Sequence, residues 1–69
     1  MDETINQPRT HRGARAIAKR AGQILGEPVS EDQIYQWKFK GVIRTFPFGG
    51  NIAATDATLV EDLTGLRAA

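Results

Sequence analysis

The sequence predicts a mainly α domain with one small β-hairpin, in the order helix, turn, helix, hairpin, helix. Three observations predict it. Apolar residues recur three and four apart between Ala14 and Leu25, and again between Leu59 and Leu66. Between these stretches, Ser30-Glu31-Asp32-Gln33 has the form of a helix start. Beyond it, the β-branched and aromatic run Val42 to Phe46 is followed by Gly49-Gly50-Asn51 and the short apolar segment Ile52-Ala53-Ala54.

Residues 1–12 are polar, contain Pro8 and lack periodicity, which predicts a flexible N-terminal arm ahead of a domain spanning 13–69. From Gly13, residues Ala14, Ile17, Ala18, Ala21, Ile24 and Leu25 share one helix face, with Arg15, Lys19, Arg20 and Gln23 on the other. The alanines let a second helix approach closely. Gly26 and Pro28 stop the helix, the first by suiting a left-handed cap and the second by being unable to continue it.

In the second helix, about 31–40, the Ser30 hydroxyl caps the Gln33 amide and Gln33 reaches back. Val29 staples Ile34, and Glu31 and Asp32 suit the positive end of the helix dipole. Ile34, Trp37 and the aliphatic stem of Lys38 face inward, and Gly41 ends the helix near Lys40. In the hairpin, Pro47 is expected at the edge of the turn, where a missing amide matters least, and one of the Phe46 and Phe48 rings is expected inside. Thr55 or Asp56 then caps a last helix with Leu59, Val60, Leu63 and Leu66 on one face.

Composition narrows the function. A chain of 69 residues buries only about 60% of its unfolded surface, a thin core for walling a catalytic cleft. There is no cysteine and a single histidine, His11, so thiolate zinc sites and histidine clusters are excluded, and no cofactor is expected. Neither a nucleophile–base pair nor a metal cluster stands in the sequence, which argues against an enzyme. His11, beside Arg9 and Arg12 in the polar arm, reads as an exposed residue. No apolar run approaches the roughly 18–20 residues that span a bilayer, so no membrane is expected as a partner. The lack of cysteine and of an apolar leader region predicts a cytoplasmic location.

Charge is more telling in its distribution than in its sum. The net charge is +1, yet residues 9–44 hold eight basic side chains against three acids, Glu27, Glu31 and Asp32. Acidic ends flank this block, giving a dipolar molecule that would steer a polyanion to one face. Uneven solvated charge is the plainer reading of the same pattern.

The ordered series Ala14-Arg15-Ala16-Ile17-Ala18-Lys19, Gly26, Val29-Ser30, Ile34-Tyr35-Gln36-Trp37, Gly41-Val42-Ile43, Gly49-Gly50-Asn51-Ile52-Ala53-Ala54 and an apolar last helix resembles the small winged helix-turn-helix proteins of the excisionase and MerR-like superfamily. Such proteins are common in bacteriophages, prophages and other mobile elements. The resemblance covers about residues 13–66. One departure is the turn: Glu27 and Pro28 stand between Gly26 and Val29, making it two residues longer than in many such proteins.

The resemblance implies sequence-specific binding to double-stranded DNA, as a transcriptional regulator or an excisionase-type recombination directionality factor. Helix 31–40 would enter the major groove and hairpin 44–52 would be the wing. A small footprint implies a homodimer or a cooperative array, and an integrase or another phage protein is an expected partner. Two alternatives stand beside this reading. One is a terminase small-subunit-like DNA-packaging recognition domain. The other is a protein–protein interaction module, with Glu61 and Asp62 opposite Leu59, Val60, Leu63 and Leu66 as its docking helix.

On the DNA reading, Gln36 can donate to and accept from adenine together. Tyr35 offers a phosphate hydrogen bond or a methyl contact, or else packs half-buried. Ser30 binds phosphate or serves only as a cap. Asp32 and Glu31 accept from cytosine or serve only the helix dipole, and Gln33 borders the same edge. Arg15, Lys19, Arg20, Lys38, Lys40 and Arg44 are the expected phosphate partners. Asn51, at the hairpin tip with Gly49 and Gly50, would lie against the adjacent minor groove, or the hairpin only covers the core. Trp37 is expected in the core rather than stacked on a base. Residues 9–12 would enter a minor groove, or remain a tail.

Overall fold

The computed structural model describes residues 9–68, and of residues 67 and 68 the backbone alone. In chain order the elements are β1 (Thr10–Arg12), α1 (Gly13–Leu25), α2 (Glu31–Lys40), β2 (Phe46–Phe48), β3 (Asn51–Thr55) and α3 (Asp56–Ala68). Three helices therefore accompany a three-stranded antiparallel sheet of order β1-β3-β2.

The helix ends follow the chemistry of their residues. Gly26 and Gly41 take left-handed conformations, with φ of 76° and 74°, and close α1 and α2. At the start of α2 the Ser30 hydroxyl accepts from the Gln33 amide at 3.1 Å. Only this half of the expected box forms, because the Gln33 side chain makes no return bond among the described residues. Thr55 rather than Asp56 caps α3, accepting from the Thr58 amide at 3.3 Å. The long turn is absorbed by Gly22. The amides of Gly26 and Glu27 both donate to its carbonyl, at 2.8 and 3.2 Å, and a Cβ there would sit 3.1 Å from the Glu27 carbonyl oxygen.

Ile17, Ile34, Leu59 and Leu63 are fully buried, so every helix sends at least one large side chain into a single core. Each is worth roughly 1.5–3 kcal/mol on burial. The alanine face of α1 (Ala14, Ala18 and Ala21) is buried with them, and α1 packs against α2, α3 and β3. Small side chains let all three neighbours come close, which makes α1 the central element.

Five expectations about the hairpin and the arm are corrected. Residues 10–12 of the expected arm are a strand, with Thr10, His11 and Arg12 opposite Thr55, Ala54 and Ala53; residues 1–8 lie outside the described residues. The other edge of β3 is taken by β2, so β1 occupies the edge the hairpin leaves open. Val42 to Thr45 form no strand: Ile43 is buried in the core and the Arg44 amide donates to Asp62 at 2.9 Å, which removes it from any ladder. Pro47 lies within β2, opposite Ile52, and an edge strand tolerates its missing amide.

The fourth concerns the tip. Gly49 and Gly50 alone make the turn, with φ of 55° and 84°, and Asn51 is the first residue of β3, opposite Phe48. Two consecutive positive φ values suit a two-residue hairpin turn and suit glycine. Neither phenylalanine goes inside. Arg12, Ala53 and Phe46 form one cross-strand row. The Phe46 and Phe48 rings meet edge to face with centroids 6.5 Å apart, and the Arg12 guanidinium lies 4.3 Å over Phe48. This outer layer explains why Ala53 is fully buried although it stands outside the core cluster.

Candidate nucleic-acid interface

The side of α2 opposite Ile34 points away from the molecule. Asp32, Tyr35, Gln36, Phe39 and Lys40 are all exposed there, while Gln33 is half-buried and Trp37 packs against the core. Phe39 is 89% exposed. The polar edge expected of this helix is therefore outward-facing, with an aromatic centre. Its charge runs from Glu31 and Asp32 in the first turn to Lys38 and Lys40 in the last, a sense that favours the helix dipole. Lys38 does not use its stem to line the core as expected. It is exposed, with its ammonium 6.0 Å from the Phe39 ring centroid.

Two of the cations expected to meet phosphate are engaged within the molecule. Arg20 donates through Nε to Asp56 Oδ1 at 2.7 Å and through Nη2 to Oδ2 at 3.4 Å. His11 Nε2 lies 2.8 Å from the same Oδ1, so His11 is mostly buried and paired rather than exposed in an arm. Arg20, and then His11, hold the Asp56 carboxyl below the ordinary carboxylate range. This cluster joins α1, β1 and α3.

Arg44 is the second correction. Its backbone amide and its guanidinium both donate to Asp62, with Nη2 at 2.8 Å from Oδ1, and Nη2 also reaches Glu61. Hydrogen bonds from Arg44 hold the Asp62 carboxyl down, and the two acids hold the guanidinium above its ordinary value. Glu61 and Asp62 thereby pair with the loop after α2, and of the face expected to dock a partner, Leu59 and Leu63 are fully buried in the core while Leu66 is exposed.

Arg15 and Lys19 on α1, with Lys38 and Lys40 on α2, are exposed and form no ion pair among the described residues. Lys38 also borders an open groove shared with Gly41, Thr45, Phe46 and Pro47, which sets the end of α2 beside the hairpin. Ser30 keeps its cap, and its side chain is exposed at the start of the same helix.

Sequence reasoning passed over Phe39, the Arg12–Phe48 contact and the Asp56 cluster. The first had a signal: Phe39 is three residues after Gln36 and four after Tyr35, on the side away from Ile34. An apolar residue at an outward position is the mark of a contact surface. The other two join residues far apart in sequence and left no local trace.

Comparison with family models, curated proteins and solved structures gives no match to this chain. Among the described residues no helix is long and apolar enough to cross a membrane.

Proposed function

We propose that the chain binds double-stranded DNA in a sequence-specific manner, with α2 as the recognition helix of a winged helix-turn-helix and β2–β3 as its wing. The observation that carries this reading is the outward edge of α2, where Tyr35, Gln36, Phe39 and Lys40 are exposed on a helix that α1 braces from behind. A helix has the width of the major groove, where each base pair displays its own donor and acceptor pattern. Gln36 is the adenine reader of this edge. Lys38, Lys40, Arg15 and Lys19 supply the phosphate contacts, and Arg20 and Arg44 are structural. The biological setting is a regulator or an excisionase-type factor of a mobile element, acting as a dimer or an array.

The test is selection of binding sites from a random-sequence duplex pool with the purified chain, then titration of the recovered duplex at several salt concentrations. Each phosphate neutralised contributes about 0.9 to the slope of log affinity against log salt, so four lysine and arginine contacts set a ceiling near 3.6. Recovery of no enriched sequence, or binding indifferent to salt, overturns the proposal.

A protein-interaction module remains the second reading, favoured by one observation: a phenylalanine as exposed as Phe39, four residues from the exposed Tyr35. The two separate cleanly. Lys38→Glu with Lys40→Glu abolishes DNA binding, whereas an aromatic docking surface survives that change and is lost with Phe39→Ala.

A further inference from the structure

Phe39 holds the most exposed large apolar side chain among the described residues, at 89%, on the very edge assigned to base reading. We infer that Phe39 determines specificity by meeting the 5-methyl group of a thymine in the major groove; the inference rests on the DNA-binding reading. The chemistry is restrictive. A phenyl ring offers no hydrogen bond, and the apolar feature that base pairs present in the major groove is the thymine methyl.

The surroundings favour a duplex over a protein as the occupant. On α2 the only other exposed large hydrophobic is Tyr35. Phe39 is flanked in sequence by Lys38 and Lys40, both exposed and without ion pairs among the described residues. A ring set between two exposed cations complements a polyanion that carries a methyl group on its groove floor.

Helix geometry bounds where that thymine lies. Gln36 and Phe39 are three residues apart, roughly 4.5 Å along the helix axis. Base steps are about 3.4 Å. The methyl group met by Phe39 therefore lies within about two base pairs of the adenine met by Gln36.

The experiment uses the full chain and the duplex recovered by selection, remade with each thymine replaced singly by uracil, which removes only the methyl group. At one position wild-type affinity falls about fourfold, the loss expected for one buried methyl. The exposed site makes Phe39→Ala a fold-neutral change, verified by its circular dichroism. This variant binds the thymine duplex about fourfold more weakly than wild type, binds thymine and uracil duplexes alike, and keeps the wild-type salt slope. A flat thymine-to-uracil profile in wild type overturns the inference while leaving DNA binding intact. So does a penalty that persists in Phe39→Ala, or a variant that changes self-association and leaves the thymine preference alone. Failure of the pool to yield any duplex overturns both readings together.

Discussion

Arg44 holds Asp62 from two sides, with its backbone amide 2.9 Å from Oδ2 and its guanidinium 2.8 Å from Oδ1. One carboxylate thus fixes both the path of the loop after α2 and the charge that the loop carries. The residue belongs to the architecture that positions α2 and the hairpin, although its type and place suggest a phosphate contact.

For that reason Arg44→Ala is expected to lower the melting temperature and leave the salt slope of duplex binding where it was. Thermal melts by circular dichroism and anisotropy titrations at several salt concentrations check the two halves. A slope reduced by about one, with melting unchanged, would return Arg44 to the proposed DNA-binding surface.

Lys38→Ala with Lys40→Ala is expected to do the opposite. Both side chains are exposed and unpaired with any acid among the described residues, so folding is preserved. Affinity falls evenly across duplex sequences, and the salt slope shrinks by about two. The same titrations read it.

Asp56→Asn removes the shared acceptor of Arg20 and His11 and is expected to cost about 1–3 kcal/mol of stability, measured by urea denaturation. Its pH dependence has a defined sign. The carboxyls of Asp56 and Asp62 are both lowered from an ordinary value of 3.8. Their contribution is complete above that value and is lost as pH falls below it, through the lower pKa of the folded state. In Asp56→Asn the acid-induced loss is smaller than in wild type.

Ser30→Ala is expected to cost about 1 kcal/mol by leaving the Gln33 amide without its cap, while Ser30→Asp restores it. The position is exposed, so packing is unaffected. Urea titration of the three proteins at neutral pH gives the order.

What could be read from the sequence was local. Ser30, Gly26 and Gly41 announce helix ends because each acts on a backbone group within a few residues, and the spacing of Ile17, Ala21, Leu59 and Leu63 announces buried faces. Long-range pairings were not legible. His11 and Asp56 are 45 residues apart and Arg44 and Asp62 are 18 apart, and nothing in periodicity couples such positions. Thr10-His11-Arg12 shows no apolar alternation, because its strand exists by pairing with β3 and not by its own propensity. The outward edge of α2 was legible in part. Tyr35 and Gln36 follow from the helix phase, which places Phe39 there as well, although an apolar side chain ordinarily faces a core.

Strand β3 lies between β1 and β2, so the segment ahead of α1 braces the hairpin from its far edge. Trimmed back to Gly13, the protein would keep β3 packed on α1 but would lose the strand that pairs its free edge, and with it the His11 contact to Asp56. The three residues of β1, polar and easily discarded when paring the protein to a minimum, act as a splint.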